Sequence, residues 1–250
     1  MFLSFHSHLK NLLRRVYQNQ RRVEHALSRR ASIKDIIEAM GVPHTEIGRI
    51  IINAQEVSFR HIPDNNTEVE IYPICGPDDF LTATSLRPEP LPELRFALDI
   101  TVGKLVKLLR MAGIDTFYSN PISELELLKV GVDENRIVLT RNKDLLQRKD
   151  LIFGYLVKNY SPEKQFQEII QFFDLIDTLQ PFTRCMACNG LLHKVDKQEI
   201  LARLEPLTKI HYHTFQQCAD CTRIYWSGSH KHKMIRVFKR CFPDYDFPVE

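Results

Sequence analysis

The chain has no run of about eighteen uncharged apolar residues, so none of its 250 residues reads as part of a membrane-spanning helix. The opening "MFLSFHSHLKNLLRRV" lacks the succession of basic, apolar and small-residue regions that marks a secretory signal. Acids are also missing before Glu24, a feature shared with organellar presequences, but a soluble cytoplasmic chain is the simpler expectation. A glycine-rich phosphate loop is missing where a nucleotide-binding fold would place one: "DITVGKLVKLL" holds only Gly103, which speaks against a Rossmann or P-loop site. Apolar material is present in quantity. With 44% hydrophobic and 26% charged residues the chain can bury a sizeable core in two or three compact parts, which excludes a disordered protein.

The net charge of +3 is modest but unevenly spread. Eight Lys or Arg residues (Lys10, Arg14, Arg15, Arg21, Arg22, Arg29, Arg30 and Lys34) face the single Glu24, and "HKHKMIRVFKR" near the end is free of acids. Such patches attract polyphosphate and suit nucleic acid, although a solvated helix face has the same composition.

In the reducing compartment expected for this chain its six cysteines do not read as a disulfide framework, and paired short spacings favour metal binding. Four of them form two pairs of identical spacing, "CMAC" (Cys185, Cys188) and "CADC" (Cys218, Cys221), separated by 29 residues. Four thiolates suit the tetrahedral preference of zinc, and a closed site of this kind is structural, since no position stays open for substrate. A redox motif would account for one pair and leave the other idle. Cys75 and Cys241 fall outside the pattern and read as buried small side chains.

Residues 73 to 92 hold five of the thirteen prolines and read as an extended connector. We place it at 75–93, after a first domain of residues 1–74 and before domains at 94–180 and 181–250. In the first domain "FLSFH", "VEHAL", "GRIIIN" and "EVEIYPI" read as strands and "SIKDIIEAMGV" as a helix capped by Ser32 and ended by Gly41. This order resembles the ubiquitin-like β-grasp fold of sulfur carriers. A carrier ends in a free Gly-Gly, whereas here the last strand runs into "YPICGPDD", so the resemblance implies a docking or binding module, a protein being one partner it could take, and not a conjugated carrier.

After the connector, strands and helices alternate: "LRFALDI", "VGKLVKLLRMAG", "DTFYS", "SELELLKVG", "RIVLT", "NKDLLQR", "IFGYLV" and "SPEKQFQEIIQFFDLI". Such alternation gives an α/β parallel sheet whose site lies beyond the carboxyl ends of the strands. Asp99 ends the first strand, Glu124 and Glu126 open the helix after the second, and Asn142 and Asp144 follow the third. Clustered carboxylates suit a hard divalent cation, which orients water and offsets charge developing on a phosphodiester. Each acid also has a structural role open to it, through the helix dipole or as a cap.

"FALDITVGKLVKLLRMAGIDTFYS", "RIVLTRNKDLLQR", "PFTRCMACNG" and "CTRIYWSGSH" resemble the Mut-seven-C ribonuclease family over roughly residues 94 to 240. That family is similar to PIN-domain nucleases followed by a zinc ribbon, often with a ubiquitin-like domain in front. The resemblance implies a magnesium- or manganese-dependent ribonuclease site with Asp99, Glu124 and Asp144 as metal ligands and Glu126 as the less favoured second acid. Asn142 departs from the aspartate that commonly follows "LTR", and an amide oxygen coordinates metal without bringing charge. Lys104, Arg110, Arg141, Trp226, Lys231 and Lys233 are the expected RNA contacts, Trp226 as a stacking platform or, equally, as part of a small ribbon core. The competing reading is a non-catalytic RNA-binding or adaptor protein that keeps the nuclease fold.

Overall fold

The computed structural model describes residues 1–27 and 29–246. In chain order the elements of the N-terminal part are β1 (Phe2–Phe5), α1 (Leu9–Leu12), α2 (Arg15–Gln18), β2 (Val23–Glu24), α3 (Ile33–Ala39), β3 (Ile47–Ile52), β4 (Gln55–Glu56), β5 (Glu68–Pro73) and α4 (Asp78–Leu81). There follow β6 (Phe96–Leu98), α5 (Val106–Met111), β7 (Thr116–Phe117), α6 (Glu124–Asp133), β8 (Ile137–Thr140), β9 (Gly154–Leu156) and α7 (Pro162–Phe172). The last part holds β10 (Leu192–Val195), α8 (Lys197–Ile200), α9 (Pro206–His211), β11 (Phe215–Cys218), β12 (Ile224–Trp226) and α10 (Ser229–Cys241). The chain divides into two compact units, residues 1–101 with 120–157 and residues 102–119 with 158–250. No helix among the described residues is long and apolar enough to cross a membrane.

In the first unit alternation decides which side of each strand is buried: Leu3 and Phe5 of β1, Ile50 and Ile52 of β3, and Val69 and Ile71 of β5 all turn to one core. The strand order is β2-β1-β5-β3-β4, with β1 parallel to β5 at the centre and the other pairs antiparallel. A parallel central pair needs a crossover, which α3 supplies by burying Ile33, Ile36 and Ile37. The Ser32 hydroxyl accepts from the Asp35 N–H at 3.2 Å, and Gly41, at φ +103°, takes the left-handed turn that stops the helix. This is the β-grasp arrangement.

The proline-rich segment departs from the extended connector its composition suggests. It carries α4, buries Phe80, Leu86 and Leu91, and sends Arg87 inward until 1% of it is exposed. The Arg87 guanidinium donates to the carbonyls of Ile47 (2.9 Å) and Thr45 (3.0 Å), and burial lowers its pKa to about 10. Prolines read as spacing because they cannot extend a sheet, but they say nothing of a fork that satisfies two carbonyls. Cys75, expected to be buried, is exposed, its N–H held by the Asp79 carboxylate at 2.7 Å.

The turn before β3 ties this sheet to the parallel strands that follow. The fully buried Glu46 accepts from the Leu156 N–H at 2.8 Å, and His44 bridges the Leu151 carbonyl and the Glu38 carboxylate at 2.6 Å each. Parallel pairing sets β8 between β6 and β9, with Leu98 opposite Leu139 and Leu139 opposite Tyr155. The strands are buried on both faces, as parallel sheets require. Helix α6 runs past Gly131 to Asp133; a Cβ there would meet Val138 Cγ2 at 2.8 Å, so the glycine serves close packing and does not stop the helix.

In the second unit α7 starts as the sequence indicates, with Ser161 capping the Lys164 N–H and Pro162 at its first position. Helix α10 packs on it through Phe166 and Phe238 edge to face (5.5 Å between centroids), Gln167 to the Cys241 carbonyl (2.8 Å), and Arg240 to Glu163 (2.7 Å). β10, β11 and β12 form an antiparallel ribbon, and α8 and α9 fill the long gap between the two cysteine pairs. Ile200, Leu204 and Phe215 are the core of this insertion.

Because Arg87 is a buried cation whose donors close two backbone acceptors, Arg87→Ala is expected to cost about 3 kcal/mol of unfolding free energy. Denaturant unfolding of the two forms measures it; a change under about 0.5 kcal/mol, the range of an ordinary surface substitution, would mean that the segment contributes nothing to the fold.

Candidate functional site

The register of β6 and β8 carries one step beyond their last paired residues and sets Asp99 beside Thr140. The Asp99 carboxylate is buried and held through both oxygens: Oδ1 accepts from the Thr101 N–H (3.0 Å) and hydroxyl (2.5 Å), and Oδ2 from the Thr140 hydroxyl (2.7 Å). Thr140 Oγ1 in turn accepts from the Asn142 N–H at 2.8 Å, and Thr101 Oγ1 from the Arg141 N–H at 3.0 Å. The Asn142 amide then donates to Glu124 Oε1 at 3.3 Å, while its oxygen takes the Asp144 N–H at 3.1 Å. A continuous hydrogen-bonded chain therefore runs Asp99, Thr140, Asn142, Glu124 along the carboxyl edge of the strands.

This edge joins Asp99, Glu124 and Asn142 and leaves the Asp144 side chain exposed, reached only through its backbone. The three carboxylates do not draw together: among the described residues the four cysteines alone bring three or more His, Cys, Asp or Glu ligand atoms within 4.8 Å of one another. Oxygen donors nevertheless suit a hard ion, and magnesium keeps most of its waters and takes one or two carboxylates. Asp99 has a lone pair left after its hydrogen bonds, and Glu124 is exposed, so both offer the anionic oxygen that such an ion prefers. Glu126 instead closes a capping box with Ser123, accepting from its N–H (2.9 Å) and hydroxyl (2.7 Å), and these bonds hold its carboxyl below the usual range. The threonines were missed by sequence reading; the signal for Thr140 was its place at the end of the strand paired with that of Asp99.

Of the basic candidates, Lys104 is exposed and Arg141 half-buried. Arg110 is a correction. It is 3% exposed and spends its donors inside the protein, on the carbonyls of Thr116 (3.0 Å), Met186 (3.3 Å) and Ala187 (2.7 Å). Burial lowers its pKa, with Cys188, Cys185 and Asp115 opposing the shift. Its place on the buried face of α5, opposite the "CMAC" turn, removes it from RNA. Trp226 keeps 39% of its surface exposed while leaning on Tyr212 and Phe215 (6.2 and 6.4 Å between centroids), so it both packs the ribbon and offers an edge. The Lys231 ammonium donates to the Ser227 hydroxyl at 3.2 Å and lies 5.0 Å from the Phe182 ring, and Lys233 is exposed on α10.

The four paired cysteines converge. Cys185 and Cys221 sulfurs are 3.6 Å apart and those of Cys188 and Cys218 3.4 Å, near the edge of about 3.8 Å that a tetrahedron with metal–sulfur bonds of about 2.3 Å requires. The two turns repeat one another. Asn189 and Thr222, each following the second cysteine of its pair, take positive φ and donate their N–H to the carbonyl of the first (2.8 and 3.1 Å). A Cβ on Gly190 would stand 2.9 Å from the Cys218 sulfur and 2.3 Å from an Asp220 oxygen, so only glycine lets the strand pass. Burial opposes ionisation of Cys185, but the Tyr225 hydroxyl and the N–H groups of Cys188 and Ala187 outweigh it and bring the thiol down to about 6. Burial pushes Cys188 up to about 12, the other sulfurs adding to the shift and the Gly190 N–H opposing it. A cavity lined by thiolates and N–H donors, beside the Arg110 cation, fits zinc.

A β-grasp sheet, a PIN-like parallel domain with a fixed carboxylate at its strand edge, and a ribbon bearing a four-cysteine cluster are the parts of the chain. Residues 94–238 match the family model of the Mut7-C RNAse domain and residues 1–79 that of Mut7-C ubiquitin, and the chain belongs to the Mut7-C family. No curated protein and no solved structure matches it.

Replacing Cys185 or Cys218 with Ser is expected to abolish stoichiometric zinc and loosen the ribbon, because such sites supply much of the folding free energy of small metal domains. Binding displaces protons, Cys188 holding its own most firmly, so retention should fall as pH falls. Metal analysis of the intact protein together with hydrogen exchange over residues 181–230 checks both; absence of zinc from the intact protein would refute the assignment.

Proposed function

We propose that the chain is a ribonuclease that hydrolyses RNA phosphodiesters at the Asp99 edge with magnesium or manganese. The observation that carries this reading is the Asp99–Thr140–Asn142–Glu124 chain at the carboxyl end of parallel strands, within the region matched by the RNAse family model. Asp99 and Glu124 would hold the ion, with the Asn142 and Asp144 oxygens as further ligands. The bound ion supplies an activated water and offsets the negative charge that develops on the phosphate. Thr101 and Thr140 keep the Asp99 carboxylate in one orientation, so its lone pairs stay directed without reorganisation. Arg141 would meet phosphates beside the acids, and in the second unit Lys104, Trp226, Lys231 and Lys233 would bind RNA through stacking and charge. The β-grasp domain would dock a protein partner, and a cytoplasmic setting fits the reduced cysteines.

Asn142 is the electrostatic weak point. A neutral amide suits an empty edge because it donates to Glu124 without repulsion, but a second cation beside the first needs more negative charge. Asp99→Asn is therefore expected to lower kcat/KM on single-stranded RNA by about a hundredfold or more, the scale of losing one preorganised group at a reacting centre. Asn142→Asp should raise activity and steepen its dependence on manganese. Cleavage assays with and without chelator test both. RNA cleavage that survives Asp99→Asn refutes the site. No cleavage by wild type or Asn142→Asp, with no metal entering the edge, favours a non-catalytic RNA-binding adaptor instead.

A further inference from the structure

Lys143 stands between Asn142 and Asp144, and its ammonium donates to the Leu12 carbonyl at 2.9 Å. Leu12 is the last residue of α1, where carbonyls lack helical partners and a cation is favoured. The acidic edge is in this way tied to the α1–α2 segment of the ubiquitin-like domain, inside one compact unit. The segment is firmly held. Leu9 and Leu13 are buried in the β-grasp core, the Arg14 N–H bonds the Met40 carbonyl at 2.8 Å, and the Gln18 amide bonds the Leu13 carbonyl at 2.7 Å.

Three cations project from this segment. Lys10, Arg14 and Arg15 are exposed and have no ion-pair partner among the described residues. Arg22, further along, is spent on Glu68 and on the Phe2 ring. An edge carrying Asp99, Glu124 and Asp144 repels a polyphosphate, and a substrate strand needs cations close by to be held against that repulsion. We infer that α1–α2 is the phosphate rim of the acidic edge, with Lys10, Arg14 and Arg15 binding the backbone of single-stranded RNA. The inference rests on the ribonuclease reading and gives the ubiquitin-like domain a part in holding substrate.

The test compares the full chain with Lys10→Gln/Arg14→Gln/Arg15→Gln and with Arg29→Gln/Arg30→Gln/Lys34→Gln, which removes the same charge elsewhere in the ubiquitin-like domain, where Arg29 and Arg30 line a cavity with Asp64. Binding of a fluorescein-labelled oligouridylate of about twenty nucleotides is followed by anisotropy in chelator over a salt series. The first variant should bind at least about tenfold more weakly and flatten the log–log salt slope by about two, three contacts at roughly 0.7 each, with the second near wild type. In manganese its KM for cleavage should rise while kcat holds, as expected when uniform binding is lost. Equal loss in both variants reduces the effect to net charge, and no loss in the first removes the rim; either overturns the inference, as does a wild type that does not bind this RNA. Failure of the ribonuclease reading shows separately, as wild type that binds and does not cleave, and the binding comparison then decides the rim by itself. All three replaced side chains are exposed, and unchanged thermal unfolding confirms that the variants fold.

Discussion

A carboxylate taken out of water must find hydrogen-bond donors, and the Asp99 site is organised around that need. The side chain lies at the end of β6 with both oxygens occupied, and every donor it uses is fixed by an independent constraint. Thr140 is set by the parallel register of β8, and Thr101 by the turn that follows the aspartate itself. From Thr140 the same logic passes outward, since its hydroxyl, having donated to Asp99, can accept only from another group and takes the Asn142 N–H. The loop after β8 is thereby shaped by the acid on β6, and Asn142 is brought within reach of Glu124.

A second buried charge does equivalent work in the other unit. Arg110 is drawn under the "CMAC" turn, where its guanidinium satisfies the carbonyls of Met186 and Ala187 and lies close to two thiols. Asn189 reinforces the joint by donating to Asp115 (3.0 Å) and accepting the Thr116 N–H (2.9 Å), while Arg184 pairs with Asp115 at 3.2 Å. The "CMAC" turn is thus keyed to the end of α5 and the start of β7 by side chains.

How much of this was legible depended on whether the signal was local. The Ser32 and Ser161 caps, the stops at Gly41 and Gly113, the core strands and the paired cysteines are each set by a few neighbouring residues, and they stand where the sequence puts them. Apart from Cys75, the misreadings involve side chains whose partners lie far along the chain. Arg110 read as an RNA contact, and the segment of Arg87 as a connector, because nothing near them in sequence reveals the carbonyls about forty and seventy-six residues away that these two side chains close. The close packing that Gly131 serves was equally hidden, because the demand for it comes from Val138 on the neighbouring strand. The acids of the site were visible as residues at strand ends, but the threonine that organises them was not, since its role follows from register alone.

Asn142 is where fold and chemistry pull in opposite directions. With an amide at this position the edge closes on itself without a cation: Nδ2 donates to Glu124, Oδ1 accepts from Asp144, and no two negative oxygens are forced together. A carboxylate there would face Glu124 with nothing between them, and the loop would be held only when an ion neutralised the pair. The amide therefore stabilises the metal-free edge at the expense of the field that a second ion would need. Under the ribonuclease reading proposed above, such an edge would suit one loosely held, water-rich ion, and the rest of the rate would have to come from how firmly the substrate is held.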